Sequence, residues 1–376
     1  EPVSFKKAKI GKTRVFAGAP FDWCIVVRKY LLPFCRVLQS ERIAFESCPG
    51  TIAQSLEWHE LYLFLSDCGT TNIIAGDYKA FDKKMSPVEV LSAFDIIIHF
   101  CRLSGNYTAE DIVVIRCIAE DTAYSLMDYN GDLIQVFGSN PSGNPLTVIL
   151  NCLVNCVRMR YVFYKIKPPN VRKNFRSVVH LLTYGDDLVA SVKNGYSWYN
   201  HTSVASAFAD IDVVFTMADK ESESVPYISL DDATFLKRSW VINDEINCMF
   251  APLEHESIEK MLMVWTRSKQ ITEEFQGMEI IKTALREYFW YGRDVFNQKS
   301  DMLKQLVHNL QWDIWIEEST FPTFDSLLED FQKASRHCRT YGVFYQTQDI
   351  DYLLPGKNSE VSSSSLCSLE DSNSQA

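Results

Sequence analysis

The feature that most constrains this chain is Tyr184-Gly185-Asp186-Asp187, set between two apolar runs, Val178 to Leu182 and Leu188 to Val192. Two apolar runs around a glycine-containing turn read as a β-hairpin. The hairpin carries two adjacent carboxylates at its tip. Like charges side by side repel, so their position between buried strands calls for a compensating cation, and a divalent ion can hold a phosphate at the same time.

At 376 residues the chain exceeds the usual single-domain size, so one large subdivided domain or two to three smaller ones are expected. No run is long and apolar enough to span a bilayer. The 11 cysteines are odd in number and form no Cys-x-x-Cys pair, so Cys152 and Cys156 are read as buried thiols on a helix, not as zinc ligands. A net charge of −11 argues against a generic polyanion binder. Its distribution says more: residues 1–42 hold nine Lys/Arg against three acids, and residues 133–185 hold seven Lys/Arg and no acid. Two basic zones in an acidic chain point to a focused path for phosphates.

Along the chain, Lys12, Arg14, Val15 and Phe16 alternate as a strand with cations on one side, and an aromatic-rich helix follows over Phe21 to Leu38. Residues 55–66 read as a short amphipathic helix. The run Asn72 to Ala75 reads as a buried strand, with Asp77 where it stops and Asp82 five residues on. Ser86-Pro87-Val88-Glu89 is a strong helix start, and that helix runs to Gly105. Thr108 opens another, expected to reach about Met127, before an Asn130-Gly131 turn and a strand over Leu133 to Phe137.

The loop Gly138 to Pro145 feeds a helix from about Leu146 to Tyr164. Thr147, Asn151, Asn155 and Arg158 fall on one face of it, a polar stripe on an otherwise apolar helix. Asn155 is expected in a buried hydrogen-bond network, whereas Thr147 and Asn151 suit a sugar hydroxyl and a template strand. Further on come a helix over Thr202 to Asp210, a strand at Val213 to Thr216 and a turn ending in Lys220. A second hairpin spans Phe235 to Phe250; beyond Glu254 the pattern turns helical and aromatic, and Gly356 to Ala376 is Ser-rich and expected to be disordered.

In order, these segments resemble the RNA-dependent RNA polymerases of picornavirus-like positive-strand RNA viruses. Asp77-Tyr78-Lys79-Ala80-Phe81-Asp82 resembles the first palm motif of that family. Ser142-Gly143 with Thr147 and Asn151 matches the second, Tyr184 to Asp187 the third and Thr216 to Lys220 the fourth. Phe235-Leu236-Lys237-Arg238 matches the fifth, the primer grip, and Lys12-Thr13-Arg14 resembles the basic fingertip motif. The family carries a longer N-terminal part of the fingers, so the chain is expected to be truncated there. Its start at Glu1-Pro2-Val3 without Met, and its end at Ser374-Gln375-Ala376, similar to a Gln–small protease junction, are expected of a piece of a polyprotein.

The resemblance implies an α+β right-hand polymerase, with an antiparallel palm sheet flanked by helices and a helical thumb. It implies partial fingers at 1–40, palm at 41–86, a fingers insertion at 87–138, palm at 139–250, thumb at 251–356 and a disordered tail at 357–376. It implies two Mg²⁺ ions, with Mn²⁺ as a substitute, held by Asp77, Asp186 and Asp187. Lys220 would be the general acid. Lys12, Arg14, Asp82, Ser142, Gly143, Thr147 and Asn151 would bind the nucleotide, and Phe235, Leu236, Lys237 and Arg238 the primer. RNA template and primer, ribonucleoside triphosphates and other viral replication proteins follow as partners, in the host cytoplasm at a replication complex that meets membranes through those partners. Asp82 stands where reverse transcriptases put a bulky aromatic near the sugar, which favours ribonucleotides over that alternative. An inactive RNA-binding scaffold fragment is the other alternative, and the retained acid trio argues against it.

Overall fold

The computed structural model describes residues 8, 9, 11, 17–220, 222–313 and 321–340, the side chains of 335–340 excepted. Lys12, Arg14 and the expected basic strand lie outside the described residues, as does the Ser-rich tail. No described helix is long and apolar enough to cross a membrane.

The centre is a four-stranded antiparallel sheet made of β1 (Ile73–Tyr78), β4 (Val179–Tyr184), β5 (Asp187–Val192) and β6 (Phe215–Met217), in the order β4-β5-β1-β6. Its strands are nearly continuous apolar runs because both faces are covered. On one face lie Ile74, Tyr78, Leu181, Leu188, Ala190 and Val192, which join the largest core. That core is built from α1 (Phe21–Ser40), α3 (Pro87–Leu103), α4 (Ala109–Ala123), α5 (Thr147–Ile166) and α6 (His201–Ala209). The opposite face carries Ile73, Ala75, Leu182 and Val189, which pack on α2 (Leu56–Ser66) through Trp58, Leu61 and Leu65.

Strand parity puts successive side chains on opposite faces. Asp77 therefore shares the α2 face with Ile73 and Ala75, and Asp187 shares it with Val189. The register sets Gly76 opposite Leu188 on one side and Met217 on the other. The end of β1 and the turn between β4 and β5 thus meet at one edge of the sheet.

Local signals set most helix starts. Ser86 and Glu89 form a reciprocal capping box at α3 with Pro87 in its first turn, and Thr108 and Asp111 do the same at α4. The α4 helix stops at Ala123, short of the expected Met127, because Leu126–Tyr129 (β2) pairs with Asp132–Gln135 (β3) across Asn130-Gly131. The strand β1 runs through Asp77 to Tyr78 rather than stopping before the acid, since Asp77 is still paired with Thr216.

A third core is helical. It comprises α7 (His255–Met263), α8 (Glu273–Tyr288), α9 (Arg293–Asn309) and α10 (Phe324–Thr340), with Phe250, Phe289, Trp290, Phe296 and Phe324 at its centre. The expected Phe235–Phe250 hairpin is realised in two parts. Phe235 and Arg238 exchange backbone hydrogen bonds across a tight turn, and Val241–Asn243 (β7) pairs with Cys248–Phe250 (β8).

Gly76 makes the close approach of β1 to Phe215 possible: a Cβ there would meet the ring at 2.1 Å. Gly76→Ala is expected to lower stability by about 1–3 kcal/mol through overpacking, read as a shift in the denaturant midpoint. Adding Phe215→Leu should recover part of the loss; no recovery would mean that the ring is not the obstacle.

Candidate active site

The hairpin turn closes in two residues, with Tyr184 paired to Asp187 and Gly185 taking φ +66° at the first central position. Glycine accepts that conformation without Cβ strain. Behind it the polar stripe of α5 holds the turn in place. Asn155 is wholly buried; its amide donates to the carbonyls of Gly185 (3.1 Å) and Asp186 (3.2 Å), and its Oδ1 accepts from the Tyr78 hydroxyl (3.0 Å). One turn earlier, the Cys152 sulfur accepts the Gly185 N–H at 3.0 Å. Cys152 and Cys156 are both buried, as expected of packing thiols, and Cys152 has this second use that its sequence position did not signal.

Asp77, Asp186, Asp187 and Lys220 come together at the sheet edge. The Lys220 ammonium lies 3.0 Å from Asp77 Oδ2, with the lysine side chain 65% exposed and the aspartate 15%. Partial desolvation, then the charges of Asp77 and Asp82, push the Asp186 carboxyl above the usual carboxylate range although much of the residue faces solvent. Burial, then Asp186 and Asp77, push Asp187 up to about 6, with Lys220 and Lys237 opposing. An acid whose proton is held this firmly at the end of a sheet marks a desolvated edge, with charge crowding as the second cause.

Asp82 and Asn151 are joined through a residue that the sequence reading missed. Asn140 is buried; its backbone N–H donates to the Asp82 carbonyl at 2.9 Å, and its amide donates to Asn151 Oδ1 at 2.7 Å and to the Thr147 carbonyl at 3.1 Å. Thr147 Oγ1 donates to the carbonyls of Asn144 (2.8 Å) and Pro141 (3.2 Å), folding the loop back on the helix start. Ser142 and Gly143 are exposed at its tip. The Ser142 carbonyl accepts from the Ala17 N–H at 2.9 Å, and a Cβ on Gly143 would strike the Ala17 oxygen at 1.9 Å. Arg158, the last member of the stripe, is spent on Glu89 at 2.5 Å and lies 4.5 Å over the Phe81 ring.

The four residues of the expected primer grip separate. Lys237 is exposed, pairs with Glu254, and is near enough for its charge to be felt at Asp187. Leu236 is half-buried. Phe235 is buried and stacked on Trp58, and Arg238 is buried with its fork on Glu287 of α8 (2.9 and 3.1 Å) and on the Ala251 carbonyl (2.7 Å). Arg238, expected as an RNA contact, ties the turn to the helical core; Glu287, its partner 49 residues away, had no signal in sequence.

A family model described as viral RNA-dependent RNA polymerase matches residues 1–308, and the chain belongs to that family. Over 313 residues it is 29% identical to the replicase polyprotein of Cricket paralysis virus, a match covering 80% of this chain and 18% of that protein. It is 31% identical over 306 residues to the genome polyprotein of Deformed wing virus, covering 80% of this chain and 10% of that one. Among solved structures, the Sicinivirus 3Dpol RNA dependent RNA polymerase superposes with a TM-score of 0.71 at 20% identity, covering 88% of this chain and 65% of the other. The fold is the right-hand polymerase fold. The chain spans less than a fifth of the two polyproteins and 65% of the solved polymerase.

Asp187 provides a test of the crowding. Its folded pKa of about 6 lies above the ordinary 3.8, so the folded chain binds this proton more tightly than the unfolded one, and the group costs stability as pH rises from 3.8 to 6. In chelator-containing buffer, Asp187→Asn should melt above the parent at pH 7, and the difference should vanish near pH 4. An equal difference at both pH values would remove the electrostatic account.

Proposed function

We propose that the chain is the catalytic part of a polymerase that copies an RNA template into RNA from ribonucleoside triphosphates. The observation that carries this is the convergence of Asp77, Asp186, Asp187 and Lys220 at one sheet edge, with the Asp82–Asn140–Asn151 network nearby. On this reading, partial fingers (1–40), palm (41–86 and 139–250), a fingers insertion (87–138) and thumb (251–356) are the functional parts.

The donor set fits hard divalent cations. It offers only carboxylate oxygens, and burial, then neighbouring acids, raise the proton affinities of Asp186 and Asp187, so a cation there would offset the cost of ionising them. Asp77, Asp186 and Asp187 would hold two Mg²⁺ ions, or Mn²⁺ in their place. When bound, such ions supply Lewis acidity toward the primer 3′-hydroxyl and charge neutralisation at the triphosphate. The chain's own residues do the rest. Asn155 and Cys152 keep the hairpin turn from moving as charge shifts across it. Lys220, exposed and beside Asp77, delivers a proton to the leaving pyrophosphate, a role worth roughly 10²–10⁴-fold. Lys12 and Arg14 neutralise the triphosphate.

Asp82 and Asn151, steadied by Asn140, read the ribose 2′-hydroxyl, which both donates and accepts hydrogen bonds; Ser142, Gly143 and Thr147 shape the loop beside them. Lys237 steadies the primer backbone, and Phe235 and Leu236 seat its turn. Other viral replication proteins complete the assembly, in the host cytoplasm at membranes reached through those partners.

The direct test is extension of a self-priming RNA hairpin with Mg²⁺ and labelled ribonucleotides. The parent should extend it and Asp186→Ala should not. Extension by the variant would overturn the reading, as would silence from both the parent and a version lengthened at its N-terminus. Asp82→Ala should reduce ribonucleotide over deoxyribonucleotide preference about tenfold, the scale of one lost hydrogen bond to a charged group, while triphosphate binding changes less. Equal losses for both sugars would take Asp82 out of ribose reading.

A further inference from the structure

Among the described residues, the three side chains that bring metal-ligating atoms within mutual reach are not those of the acid trio. On the same face of the sheet, away from the hairpin turn, the donor atoms of Asp67, Cys68 and His180 all lie within 4.8 Å of one another. Asp67 caps the C-terminal end of α2, Cys68 follows it, and His180 lies on β4 four residues before Tyr184. At ~3.3 Å per residue that is about 13 Å along the strand from the turn.

The three donors differ from the acid trio in kind. They are one thiol, one imidazole and one carboxylate, a mixed set that suits Zn²⁺ better than Mg²⁺. Their setting is built for a ligand. His180 Nδ1 lies 2.7 Å from the Phe64 carbonyl. A carbonyl only accepts, so Nδ1 carries the proton, and in the neutral ring Nε2 keeps its lone pair. A ring nitrogen tied to a carbonyl while the other keeps its lone pair is the usual support of a metal-ligating histidine. The Phe64 ring, stacked on the imidazole with centroids 4.3 Å apart and 6° between planes, fixes its orientation. Nε2 faces Asp67 Oδ2 at 3.8 Å. The buried Cys68 thiol lies against the His180 backbone and the Ser191 hydroxyl, and Ser191 is the register partner of His180.

We propose that Asp67, Cys68 and His180 form a Zn²⁺ site separate from the acid trio, which clamps the end of α2 to the catalytic hairpin's outer strand. Ligands in a tetrahedral zinc shell sit ~3.3–3.8 Å apart, so the set must close by about 1 Å. The Asp67 side chain, 67% exposed, is free of packing on most of its surface and can make that movement. Binding releases the thiol proton to solvent and leaves the fourth position to water.

The test uses the full chain and Zn²⁺ alone, measured by competition with a chromophoric chelator. One Zn²⁺ should bind per chain. Cys68→Ser and His180→Gln should each weaken it at least tenfold, and Asp67→Asn, at an exposed position that cannot unfold the chain, about tenfold. Asp186→Ala should leave it unchanged. Co²⁺ in the same site should give a thiolate charge-transfer band that Cys68→Ser abolishes. The proposal falls if Zn²⁺ does not bind, if binding survives Cys68→Ser and Asp67→Asn, or if Asp186→Ala removes it, which would place the ion on the acid trio. None of these outcomes depends on polymerase activity.

Discussion

The placing of Asp77, Asp186 and Asp187 at one partly desolvated sheet edge is the constraint around which this fold is arranged. Desolvation first, and the charges of neighbouring acids second, raise the proton affinity of Asp186 and Asp187, so keeping them ionised at this edge is costly. A hairpin tip would relieve that cost by bending away if its backbone were free. It is not free: Asn155 takes the Gly185 and Asp186 carbonyls, Cys152 takes the Gly185 N–H, and Tyr78 locks Asn155 from the adjoining strand. The buried side of α5 thus holds the acid cluster in register although its charges cost stability.

The same helix joins the two candidate sites. Its first turns carry Thr147 and Asn151, which meet Asn140 and through it the Asp82 backbone. Its middle carries Asn155 under the Tyr184–Asp187 turn, and Arg158 then fixes α3 through Glu89. One rigid element therefore sets the distance between the candidate sugar-reading group and the candidate metal-binding group. On the other face, Arg238 and Glu287 join the tight turn of Phe235–Arg238 to α8. A buried pair of this kind is a weak source of net stability but a strong orienting device, because removing one partner leaves a charge unpaired.

Much of the architecture was legible because it is encoded locally. Capping boxes at Ser86 and Thr108, the glycine of the Tyr184–Asp187 turn and the aromatic helices beyond Glu254 are short-range signals, and the structure follows them. The misjudged boundaries have one physical source. Met127 left the expected helix because β3 offered it a strand partner, and Asp77 stayed in its strand because β6 paired with it. Pairing between segments decided both, and residue types alone carry no record of it.

By itself, the sequence determined which chemistry the chain could perform: oxygen donors on a hairpin and a strand, a polar stripe on an apolar helix, and motifs in a family's order. These depend on residue identity and spacing, which survive in one dimension. Only the tertiary structure decided how those groups are used. It buried Arg238 against Glu287 and left Lys237 exposed, although the two are adjacent and alike in charge. It made Asn140 the hub between Asp82 and Asn151, and it brought His180 to Asp67 and Cys68 across 112 residues of chain. Burial and long-range proximity are properties of packing, so they appear only once the strands and helices have met.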